Sequence, residues 1–89
     1  MAEEILRTRI CSEIARLLKE ERLQQKLSLN LLSARAGLNR QTVSFVEGEE
    51  RMPTVDTLLR ISDALGIKLE DAIAKARRRA SRQKRPAAP

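Results

Sequence analysis

Arg40, Gln41, Thr42, Ser44 and Phe45 lie close together in the stretch ARAGLNRQTVSFVEG, which runs from Ala34 to Gly48. A guanidinium, a carboxamide and two hydroxyls make a dense set of hydrogen-bond donors and acceptors. Phe45 is the single aromatic residue of the chain, which has no Trp and no Tyr. Bond-breaking chemistry has no support. There is no His, and Cys11 is the only Cys, so neither a His/Cys zinc site nor a triad of Ser or Cys with His can form within one chain. No residue set fits catalysis, so the protein is expected not to be an enzyme and to need no cofactor and no metal. Recognition is the chemistry left. The lone Cys11 forms no internal disulfide, in keeping with a reducing, cytoplasmic setting. Placed three residues before Ile14 and seven before Leu18, it reads as a small core residue.

The elements that would hold this cluster follow from periodicity and punctuation. Eighty-nine residues with three Gly and three Pro predict one compact all-α domain. A first helix is expected from about Glu4 to Gln25, with Ile10, Ile14, Leu17 and Leu18 on one stripe. Ser28 caps a second helix that ends at Gly37, and Asn39 caps a third that runs to about Glu47. After the loop GEERMP, Thr54 caps a fourth helix carrying Val55, Leu58, Leu59, Ile61 and Leu65, which stops at Gly66. A fifth starts near Lys68 with Leu69, Ile73, Ala76 and Ala80 along one side, and the closing RPAAP is expected to be disordered. Acids at positions 3 and 4 and the lack of a long apolar run argue against a signal peptide or membrane span.

Only Gly37, Leu38 and Asn39 separate the second and third helices, with Leu32 and Ala36 inward before the turn and Val43 and Val46 inward after it. Two short helices at that spacing predict a helix-turn-helix. The sequence resembles the Cro/phage-repressor (XRE-type) helix-turn-helix domain from Ile14 to Ile73. The resemblance rests on Leu18-Lys19 with Arg22, Leu27-Ser28, Leu32, Ala36-Gly37-Leu38, Arg40, Thr42-Val43-Ser44, Val46-Glu47, Arg51, Pro53-Thr54 and Leu58-Leu59 through Ala64-Leu65-Gly66-Ile67. It implies a five-helix, lambda-repressor-like fold. Three positions depart from the family pattern. Leu29 stands where the family commonly has a DNA-contacting Gln, Lys26 stands where it has Gly, and its Glu-x-Gly appears as Glu47-Gly48-Glu49.

With Val43 and Val46 inward, Gln41, Ser44 and Phe45 fall on the outer face of the third helix, with Arg40 at its N-terminal edge. Phe45 lies about 160° from Val43, so the core does not explain it. In a helix-turn-helix this face enters the DNA major groove. Arg40 can then bond guanine O6 and N7, Gln41 can bond adenine N6 and N7, and Phe45 can pack on a thymine methyl, with Ser44 beside them. Phe45 has two competing readings: it rests on a neighbouring loop side chain, or it meets a protein partner. Phosphate contacts are expected from Ser28, Asn30, Thr42 and Arg51. By the resemblance, Arg22 and Glu47 form a structural ion pair. Glu47 lies about 40° from Val43, and a carboxylate so close to the inner face needs a partner.

The net charge of +6 is unevenly placed. Residues 1–73 hold 11 basic and 12 acidic side chains, whereas residues 74–89 hold seven basic ones and no acid. Of that tail, Arg77, Arg78, Arg79, Arg82, Lys84 and Arg85 are expected to bind polyanions without regard to sequence. The chain thus divides into an N-terminal extension of the first helix (1–9), a helix-turn-helix domain (10–75) and a basic extension with its tail (76–89). The resulting expectation is a cytoplasmic repressor that reads double-stranded DNA as a homodimer, with no membrane association. Ile5, Leu6, Ala76 and Ala80 are candidates for the dimer contact. The alternative is an interaction module, an antitoxin or a bridging factor, whose main partner is a protein.

Overall fold

The computed structural model describes residues 2–84. The expected disorder of residues 85–89, Arg85 included, and the role given to the Lys84 side chain lie outside what is described. Five helices follow one another, α1 (Ala2–Gln24), α2 (Leu29–Ala36), α3 (Arg40–Glu47), α4 (Val55–Leu65) and α5 (Leu69–Lys84). The fold is all-helical, as expected. Ser28, Asn39 and Thr54 have extended backbones, and each side chain accepts a backbone N–H at the start of α2, α3 and α4. Each cap satisfies one of the amide groups that a helix start leaves unpaired.

The helix ends are closed by one device used four times. The residue after the last turn takes a left-handed backbone, and two reverse amide bonds fold the chain back on the helix. Gly37 (φ 69°) and Gly66 (φ 75°) do this after α2 and α4. Lys26 and Glu49, both at φ 60°, do it after α1 and α3. The paired bonds are Lys26 N–H to Leu23 C=O with Leu27 to Arg22, and Glu49 to Val46 with Glu50 to Phe45. Lys26 therefore adopts the conformation for which the family uses Gly. Gly48 does not use its freedom, since its φ is −82°.

The core joins Ile14, Leu17 and Leu18 of α1 to Leu32, Val43, Val46, Ile61, Leu65 and Ala76. Cys11, expected in this core, is only half-buried at its edge. α5 begins beside Leu17 and Glu21 and reaches Glu13 at Arg79, so it runs antiparallel to α1. Ala76 and Ala80 are 0% exposed. Their methyl-sized side chains let the helix axes approach closely. The idea that these two alanines make a dimer contact is thereby corrected: they are consumed inside the chain. Ile5, at 53% exposure, remains open. The divisions drawn at residues 10 and 75 fall inside α1 and α5, which run unbroken through them.

Candidate nucleic-acid interface

α2 and α3 are set by the turn between them. Gly37 supplies the left-handed residue, and a Cβ there would stand 3.1 Å from Arg60 Nη1. Leu32 and Val43, both fully buried, pin the two helices to the core, and Ala36 and Val46 complete the inner side. Leu29 is partly buried and packs against the same core. Its side chain is thus used in folding, which accounts for an apolar residue where the family commonly contacts DNA.

The outer face of α3 is then fixed by helix geometry. Arg40 and Gln41 are exposed, and Ser44 and Phe45 are half-buried beside them. Asn39 Oδ1 accepts the Thr42 amide at 2.7 Å and the Thr42 hydroxyl at 2.9 Å. The hydroxyl oxygen of Thr42 still has lone pairs, but its proton is engaged. Ser28 Oγ accepts the Leu31 amide at 3.0 Å, while Asn30, the second residue of α2, is exposed. Arg51, from the loop after α3, places its guanidinium carbon 4.6 Å from the centroid of the Phe45 ring, a cation–π contact.

Behind this face, Arg22 joins α1 to the end of α3. Its Nε and Nη2 donate to the two Glu47 carboxylate oxygens at 2.7 and 3.0 Å, and its Nη1 donates to the Leu27 carbonyl at 2.7 Å. The two side chains are only 10% and 8% exposed. A planar fork meeting a carboxylate in this way fixes orientation as well as charge.

A chain of ion pairs continues around α1. Arg16 bridges Glu49 at 3.5 Å and the buried Glu13 at 3.0 Å. Arg79 reaches Glu13 at 3.5 Å and grips both oxygens of Glu20 at 3.1 and 3.2 Å. The Arg79 hydrogen bonds, more than any other cause, hold the Glu20 carboxyl below its ordinary pKa. Assigning Arg79 to a free, non-specific tail is therefore corrected: its charge is spent on α1. A signal for this was present, since Arg79 falls about 60° from Ala76, beside a face that must be buried. Arg77, Arg78 and Arg82 remain exposed on α5.

A family model described as helix-turn-helix matches residues 18–71. The chain belongs to the helix-turn-helix family. It is of the Cro/repressor (XRE) type, with the lambda-repressor-like fold, and is a DNA-binding regulatory domain. The matched span of the helix-turn-helix protein takes in Arg22, all of α2, α3 and α4, and the first turn of α5. No curated protein and no solved structure matches the chain significantly. Among the described residues no helix is long and apolar enough to cross a membrane.

Proposed function

We propose that this protein is a sequence-specific transcriptional repressor that lays α3 in the major groove and acts in the cytoplasm as a homodimer. The observation that carries the reading is the state of Arg40 and Gln41. Both are exposed on a helix locked from behind, and neither side chain makes a hydrogen bond or ion pair among the described residues. Groups that are rigidly presented and still unpaired are suited to bidentate bonds with base edges. Ser44 and the edge of Phe45 flank them, the latter for a thymine methyl. Ser28, Asn30, Thr42 and Arg51 contact phosphates, and Arg77, Arg78 and Arg82 add sequence-independent attraction. A bound dimer would cover its operator and block transcription.

Selection of bound duplexes from random DNA tests this. A half-site motif is expected. Arg40→Ala and Gln41→Ala should each lose about 1–3 kcal/mol on the selected duplex, with relaxed preference at one base pair. Equal losses on selected and scrambled duplexes would remove the base-reading role. The second reading, a module that binds a protein such as a toxin or a bridged factor, draws on one observation. Val55 and Leu59, one turn apart on α4, are 67% and 43% exposed. Co-purification of a small protein that is lost in Val55→Ser/Leu59→Ser would favour it.

A further inference from the structure

The Phe45–Arg51 contact deepens the reading just proposed and rests on α3 lying in the groove. Phe45 is one helical turn beyond Gln41 on the same face. Its ring edge is available to a base, but one ring face is covered by the Arg51 guanidinium. Arg51 is brought there by the reversal after α3, in which Glu50 N–H bonds the carbonyl of Phe45 itself at 3.0 Å. The contact is thus local and specified by the backbone.

The charges around it are arranged to leave Arg51 unspent. Three acids close α3 and open the loop: Glu47, Glu49 and Glu50. Glu47 is held by Arg22 and Glu49 by Arg16. Among the described residues Arg51 has no carboxylate within ion-pair distance, and the aromatic face is its partner instead. A helix of eight residues is about 12 Å long, close to the width of the major groove. With its reading residues in the groove, the C-terminal end of α3 arrives at the phosphate wall. That end carries the negative pole of the helix and an acidic loop, both of which repel phosphate. A cation fixed at that point offsets this repulsion and gives a phosphate a partner.

We infer that Phe45 is a positioning residue: its ring face holds the Arg51 guanidinium at the end of α3 for a phosphate contact, so the contribution of Arg51 to DNA binding depends on the ring. Lysine would not serve equally, because the planar guanidinium stacks and forks where an ammonium does not.

The test uses the full chain, the duplex it selects from random DNA and a scrambled duplex, with affinity measured over a series of salt concentrations. Arg51→Gln should weaken both duplexes alike and flatten the salt slope by about one unit. Phe45→Leu should weaken both about twofold to fivefold, and that shared loss should vanish in the Arg51→Gln background. Phe45→Trp, which keeps an aromatic face, should restore it. In the unbound protein the Arg51 side-chain protons should resonate upfield under the ring, and lose that shift in Phe45→Leu. Any loss that persists in Arg51→Gln and is confined to the selected duplex belongs to the ring edge reading a base. The inference is overturned if Phe45→Leu causes no shared loss, if that loss adds to Arg51→Gln, or if the upfield shift is absent. Arg40→Ala and Gln41→Ala in the same assay judge the parent reading separately. If they abolish preference while Arg51→Gln is silent, groove reading stands and the inference falls. If wild type shows no preference but Phe45→Leu and Arg51→Gln weaken binding as one, base reading falls and the positioning role stands.

Discussion

Removing the Arg22 guanidinium leaves the Glu47 carboxylate, 8% exposed, without a cation among the described residues and with two hydrogen bonds broken. Arg22→Ala is expected to cost about 3–5 kcal/mol, since a buried charge without a partner is worse than no charge. The double change with Glu47→Ala should cost less than the sum of the single ones, and additive denaturant melts would remove the pair. The position of Glu47 next to the inner face made this partner legible in the sequence, because burial of a carboxylate demands one. Lys26 and Glu49 stand where the family pattern has Gly, but their own side chains gave no sign of a left-handed backbone. Neither side chain favours φ near +60°, and tertiary packing imposes it at a cost of about 1–2 kcal/mol. Lys26→Gly is therefore expected to raise stability by about 1 kcal/mol, the relief of strain exceeding the entropy that Gly adds to the unfolded chain. A denaturant midpoint that falls in Lys26→Gly would show that the lysine stem contributes packing that the backbone argument omits.

At the scale of elements, all five helices could be placed from apolar spacing, three polar caps and two closing glycines. What the spacing left open was how much of α5 belongs to the folded body. Alanines in a basic stretch look like filler until a partner helix is present, and α1 is that partner. Truncation after Ala74, which would be harmless if Leu69 and Ile73 alone carried the docking, instead removes Ala76, Ala80 and the Arg79 clasp. It should lower the thermal midpoint markedly. Ala76→Leu should cost about 1–3 kcal/mol by forcing the helices apart. The clasp also carries a pH dependence. The Glu20 pKa is lowered in the folded chain, so its contribution is present above the ordinary carboxylate pKa and is lost as pH falls through the folded value. Glu20 is more than half exposed, so the effect is screened and modest. The difference in thermal midpoint between wild type and Glu20→Gln should be clear near neutrality and shrink below about pH 5. A difference that is constant from neutral to acid pH would assign the loss to something other than the carboxylate.

For the whole molecule, the segregation of charge could be counted from the sequence, but its division between fold and solvent could not. The residues of 1–73 are nearly balanced, and the surplus lies in α5 and beyond. Within α5, Arg79 is 28% exposed and closes an ion-pair chain running from Glu49 across α1, whereas Arg77, Arg78 and Arg82 face solvent. The two groups make opposite predictions. Replacing Arg77, Arg78 and Arg82 with Gln keeps helix propensity and removes only free charge. Each phosphate neutralised contributes about 0.9 to the slope of log affinity against log salt, so that variant should flatten the slope by about 2–3 if all three touch DNA. Affinity for selected and scrambled duplexes should fall by the same factor, with base preference kept, because Arg40 and Gln41 are untouched. The thermal midpoint should barely move. Arg79→Gln should do the reverse, lowering the midpoint by loosening α5 from Glu13 and Glu20 while leaving the slope near that of wild type. Stoichiometry enters here as well: two chains per duplex, on half-sites about 34–36 Å apart, would double the charges lost per complex and steepen the contrast. Light scattering on the bound and free protein fixes that factor before the slopes are compared. An unchanged slope in the triple variant would mean that the exposed face of α5 takes no part in DNA binding, while a flattened slope in Arg79→Gln would mean that its bridges open when DNA arrives.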